Sequence, residues 1–131
     1  MIGTETRTFE IVFPNNANSH NNLFGGHALS LMDRLAFIVS SRYARKNMVT
    51  VASDKVEFHN PVKVGDLIEL VARIERVGRT SVTVDIDMFS ENLITGTREL
   101  CTTAEFVMVA LDEDGNPTTV PRPADAQQSG K

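Results

Sequence analysis

Apolar and polar residues alternate through much of the second half of the chain. From Arg79 to Phe89, Val82, Val84, Ile86 and Met88 alternate with Ser81, Thr83, Asp85 and Asp87. A period of two marks an antiparallel strand with one buried face. Asp66 to Val77 repeats it, with Ile68, Leu70, Ala72 and Ile74 set against Glu69, Arg73 and Glu75. Met48 to Phe58, rich in Val and Thr, and Thr97 to Leu111 read as two more strands, and Thr6 to Val12 as the first. Turn residues separate these runs: Pro14, His59-Asn60-Pro61, Gly65-Asp66, Gly78, and the loop from Glu91 to Gly96.

Between the first two strands the period changes. Ala28, Leu29, Leu31, Met32, Leu35, Ala36, Phe37, Ile38 and Val39 occupy more than one helical stripe. The spacing predicts a long helix from about Gly26 or His27 to Arg45, with most of its circumference buried. Arg42, Arg45 and Lys46 near its end complement the negative pole of the helix dipole. One long helix and about five strands make an α+β chain. Such a helix is buried on most sides only if an antiparallel sheet curls around it.

The chain has 131 residues, which predicts a single domain over 1–131 able to bury a core, with a flexible tail from about 122 to 131. A net charge of −4 argues against general nucleic-acid binding, because a polyanion needs a cationic surface. A single cysteine, Cys101, excludes an internal disulfide and fits a reducing compartment; its place in a strand suggests packing rather than a catalytic thiol. No apolar run reaches the roughly 20 residues that span a bilayer, and Met1 to Arg7 lacks an apolar signal core. The expectation is a cytoplasmic protein. His20, His27 and His59 lack metal-ligand spacing, and Asp112 to Pro117 is too short for a calcium loop, so no metal site is expected.

Asp33 breaks the pattern of the helix. Its neighbours three and four residues away are Leu29, Ser30, Ala36 and Phe37, none of them basic. Arg34 points about 100° away around the helix. A carboxylate on a largely apolar helix needs compensation. Either the helix has a wetter face there, or a distant Arg or backbone donor satisfies it, or it is a catalytic carboxylate held against apolar walls. The Gly25-Gly26 pair just before it brings bare backbone to the helix start, where unpaired amide N–H groups favour an oxygen carrying negative charge. His27, at the same end, is a general-base candidate or a histidine capping a loop. Asn15 to Asn22 is almost entirely Asn, Ser and His, as polar loops are.

Pro14, Asn18, Leu23-Phe24-Gly25-Gly26, Leu29 and Met32-Asp33 together resemble the hotdog-fold acyl-CoA thioesterases, nearest to the brain-type cytosolic acyl-CoA hydrolases and their small bacterial relatives. The resemblance continues through Ala52-Ser53, Val56-Glu57-Phe58, Pro61-Val62, Val64-Gly65-Asp66 and Val77-Gly78-Arg79-Thr80-Ser81, roughly Phe13 to Leu111. It implies one helix wrapped by a curled sheet, and hydrolysis of acyl-CoA to fatty acid and CoA with no cofactor beyond the CoA of the substrate. Asp33 would be general base or nucleophile and Asn18 would position the water or the carbonyl. Phe24, Gly25, Gly26 and His27 would bind substrate and oxyanion, and Arg79, Thr80 and Ser81 would bind CoA. The last three equally suit an ordinary hairpin. The resemblance also implies a dimer with Asn18 of one chain meeting Asp33 of the other, and larger assemblies such as a trimer of dimers or a tetramer. Two other readings stay open: an acyl-thioester hydratase or dehydratase using His27 or His59, and a regulatory module that binds acyl-CoA without turnover.

Overall fold

The computed structural model describes residues 5–123. The expected tail therefore lies outside the described residues from 124 onward. The chain forms strand β1 (Thr6–Ile11), a short 3-10 turn at Pro14–Asn16, helix α1 (Gly25–Ala44), and strands β2 (Asn47–Phe58), β3 (Leu67–Val77), β4 (Ser81–Glu91) and β5 (Arg98–Leu111). The strands make one sheet in the order β1-β3-β4-β5-β2, antiparallel at every pairing. The helix thus carries the chain from one edge of the sheet to the other.

Alternation decides what faces the helix. Val82, Val84, Ile86 and Met88 of β4 are fully buried, as are Ile68, Leu70 and Ala72 of β3 and Phe106, Met108 and Ala110 of β5. They close on Ala28, Leu31, Met32, Leu35, Ala36 and Val39 of α1. Each large side chain removed from water there contributes roughly 1.5–3 kcal/mol before entropy is counted. The helix stops where Arg45 takes a left-handed conformation (φ 54°) and its N–H bonds the Ser41 carbonyl.

Two expectations are corrected. β4 begins at Ser81 rather than Arg79, because the Gly78 N–H bonds the Ser81 carbonyl at 2.8 Å and commits Arg79 and Thr80 to the turn. The helix is buried over less of its circumference than its apolar content predicts: Phe37 is 47% and Ile38 37% exposed, beside exposed Ser30 and Arg34. The sheet ends at β2 and does not reach this face. β2 itself is mostly exposed, including Val51 and Phe58, and departs from regular pairing between Thr50 and Ala52 and between Asp54 and Glu57.

Candidate active site

The polar loop before α1 is tightly built. The Asn18 side-chain Oδ1 accepts the backbone N–H groups of His20 (2.9 Å) and Asn22 (3.2 Å). The Asn18 N–H bonds the Asn22 carbonyl at 2.8 Å, and Asn21 turns the chain through a left-handed conformation (φ 62°). Two backbone donors on Oδ1 fix which way the amide points, so the Nδ2 group, with two protons to give, is the end left for a ligand. The Leu23 N–H bonds the Val62 carbonyl at 2.7 Å, tying the loop to the segment after β2.

Asn18 opens into a cavity of about 290 Å³ shared with Gly25, Ala28, Phe58, His59 and Pro61. Helix α1 starts there with no side-chain cap and no acidic residue in its first turn. Its first amides therefore present the positive pole of the helix to the cavity end. A Cβ on Gly25 would stand 3.4 Å from the Phe58 ring, whereas one on Gly26 would meet nothing within 4 Å. Phe24, at the N-cap position, is half exposed. His27 sits in the first turn, half-buried, and is not among the residues lining this cavity; His59 is.

The donor to Asp33 is neither an arginine nor a backbone group but a side-chain hydroxyl. The Thr50 hydroxyl, on β2, donates to Asp33 Oδ1 at 2.6 Å. The same oxygen lies 3.3 Å from Met108 Sδ, but a hydroxyl has one proton and a carboxylate is much the stronger acceptor. Oδ2 has no hydrogen-bond partner among the described residues. The helix therefore offers a half-buried carboxylate with one oxygen locked and the other free to act as a base. Thr50 escaped the sequence reading, although a signal existed: it shares a strand face with buried Met48 and so points toward the helix.

A single chain does not join these pieces. Eight residues of helix, about 12 Å along the axis, separate Gly25 from Asp33. In the sheet, Phe58 stands opposite Thr102 and Thr50 opposite Met108. Those partners are six positions apart along β5, about 20 Å of strand. The amide donors and the carboxylate sit at separate stations, too far apart to serve one reacting carbonyl.

Arg79 and Thr80 lie in the β3–β4 turn, and Ser81 opens β4. A Cβ on Gly78 would fall 2.6 Å from Ser81 Oγ, so a side chain there would oblige the Ser81 hydroxyl to turn away. Thr80 accepts the Ala110 N–H at 3.0 Å through its carbonyl, and Arg79 lines a cavity of about 490 Å³. Cys101 is fully buried and its Sγ lies 3.1 Å from Ser90 Oγ; burial pushes the thiol up, and the Ser90 contact only partly offsets this. Such a thiol stays protonated and is a poor nucleophile.

Residues 20–97 match the thioesterase superfamily. Over 111 residues the chain is 40% identical to an uncharacterised acyl-CoA thioester hydrolase of Bacillus subtilis, covering 85% of this chain and 64% of the relative. It thus spans less than two thirds of that protein's length. An acyl-CoA hydrolase of Staphylococcus aureus, solved with butyryl coenzyme A, coenzyme A and coenzyme A disulfide, superposes with a TM-score of 0.85 at 30% identity, over 90% of this chain and 72% of its own. An apo-hexameric acyl-CoA thioesterase superposes with a TM-score of 0.86 at 37% identity, over 89% of this chain and 75% of its own. The Staphylococcus aureus hydrolase has also been solved with an asparagine, an aspartate or a threonine replaced by alanine, at positions 15 and then 17 residues apart. Asn18, Asp33 and Thr50 have the same separations.

Proposed function

Because this chain belongs to the thioesterase superfamily and has the hotdog architecture of its acyl-CoA thioesterases, we propose that it hydrolyses acyl-CoA to a fatty acid and free coenzyme A. The observation that carries the reading is the hydrogen bond from Thr50 to Asp33, which fixes a carboxylate on the helix and leaves Oδ2 as base. Oδ2 removes a proton from water as the oxygen adds to the thioester carbon. The carbonyl oxygen gains charge and is held by Asn18 Nδ2 and by the first amides of α1 around Gly25 and Gly26. Collapse breaks the carbon–sulfur bond, and the proton held by Asp33 returns to the departing thiolate. Direct attack by Asp33, giving a mixed anhydride that water then opens, uses the same residues. Neither route needs a cofactor beyond the CoA of the substrate. The matching spacing of the three residues altered in the Staphylococcus aureus hydrolase supports these roles.

The 12 Å gap is closed by a second copy. β2 is an edge strand with exposed Val51 and Phe58. Pairing two copies of β2 antiparallel about a two-fold axis sets the Phe58 end of one strand against the Asn47 end of the other. Asn18 and the Gly25 amides of one protomer then face Asp33 and Thr50 of its partner, and the exposed edge is covered. The hexameric relative supports a trimer of such dimers. Phe24 of the substrate-binding end would contact the acyl chain, and Arg79, Thr80 and Ser81 the coenzyme. An unpaired Cys101 suits a cytoplasmic setting.

The test is release of free CoA, read with a thiol reagent, from short, medium and long acyl-CoAs by wild type and Asp33→Asn. Wild-type turnover that falls by roughly 10²–10⁴-fold in a folded variant supports the assignment. Equal activity in both sinks the proposed base. Tight binding with no turnover of any acyl-CoA would instead favour the regulatory module.

A further inference from the structure

Beyond β5 the chain doubles back over the far end of the molecule. Thr118 N–H bonds the Ala110 carbonyl at 2.8 Å, and Val120 N–H bonds the Arg79 carbonyl at 2.9 Å. Val120 is buried in the core, and the Tyr43 hydroxyl, in the last turn of α1, donates to the Pro121 carbonyl at 2.7 Å. These contacts pin the strap up to the residue before Arg122. Arg122 and Arg79 line the same cavity together with Thr119 and Gly78, and no carboxylate stands among the described residues of its lining. Among the described residues neither arginine has a salt-bridge partner, although the arginines of the sheet's outer face at 7, 73, 76 and 98 all do. In an acidic protein, two unpaired cations around one concavity form a local anion site.

We propose that Arg122 is a second arm of the coenzyme A site, joining Arg79 on the phosphates of the nucleotide end, with Tyr43 as its positioning residue. The inference rests on the thioesterase reading above and extends it to residues outside the turn at Gly78. Register places this site within reach of the chemistry. Ser81 pairs with Val109 and Val109 with Val49, in the row next to Thr50. Two strand spacings, about 10 Å, separate that turn from β2, whose Thr50 holds the carboxylate of Asp33. A substrate lying from Asp33 toward the turn brings its nucleotide to the strap. Guanidinium groups suit this task, since their fork of donors matches phosphate oxygens.

The experiment compares acyl-CoA with the matching acyl-pantetheine, which has the same thioester and no nucleotide. In Arg122→Gln the preference for acyl-CoA over acyl-pantetheine should fall about tenfold or more, through KM rather than kcat, with partial recovery in Arg122→Lys. Tyr43→Phe, which keeps the ring and loses the bond to Pro121, should shift the same ratio by a smaller factor. Titration calorimetry of free CoA and of pantetheine against wild type and Arg122→Gln gives a readout independent of turnover. Selective weakening of CoA supports the arm even if no acyl-CoA is hydrolysed, in which case the thioesterase reading alone fails. An unchanged ratio in kinetics and binding, or equal loss on both compounds, overturns the proposal.

Discussion

Thr50 holds Asp33 with its single hydroxyl proton at 2.6 Å, and the rest of the proposed chemistry depends on that geometry. Thr50→Val keeps the shape of the side chain and deletes the donor. Its kcat should fall roughly 10–100-fold with little change in fold, and Thr50→Ser should restore most of it; circular dichroism and steady-state kinetics on the three proteins check this. Asn18 separates turn-building from catalysis. Asn18→Asp keeps the oxygen that accepts the His20 and Asn22 amides and removes the NH₂ donor. It should fold with an unchanged thermal midpoint and lose about 10²–10³-fold in kcat, the usual cost of an oxyanion donor. Unimpaired hydrolysis would mean that Asn18 only shapes the loop.

Among elements, the sheet has two kinds of face. Its inner face is apolar and alternates, which is why β3 and β4 were legible from their period. Its outer face is held by charge. Glu69 on β3 bonds Arg98 of β5 at 2.6 Å and Arg7 of β1 at 2.6 Å, and side-chain exposure of 15% shields it from water. The Arg98 bond, aided by Arg7 and opposed by burial, holds its carboxyl below the ordinary glutamate value. A carboxyl with a folded pKa below its unfolded pKa stabilises the fold above the unfolded value. That contribution fades as pH falls through the folded value. Glu69→Gln should therefore lower stability at neutral pH by up to about 1 kcal/mol and by nearly nothing in strong acid. Urea midpoints at the two pH values test this. β2 was legible as a strand but not as an edge. Its Val and Thr content says extended, while its exposure follows from the sheet order, in which it pairs with β5 alone.

For the whole molecule, the proposed mechanism makes the site a property of two chains, because the donors and the carboxylate are too far apart within one. Asp33→Asn and Asn18→Asp should each be nearly inactive alone. After dissociation and random re-pairing of equal amounts, half the dimers are mixed, and each mixed dimer holds one intact site. About a quarter of wild-type activity should return. A site contained within one chain would recover none. What the sequence by itself determined is local: which residues alternate, where the helix runs, that Asp33 lacks a helical partner, and that Gly25-Gly26 and Asn18 stand ready before it. Hydrophobic period and turn chemistry act over a few residues, so they can be read along the chain. The tertiary structure alone decided that Thr50 reaches Asp33, that Phe58 and His59 share the cavity of Asn18, and that Arg122 stands beside Arg79. Those contacts join residues 17 to 43 positions apart and exist only because the helix carries the chain across the sheet and the strap returns over it.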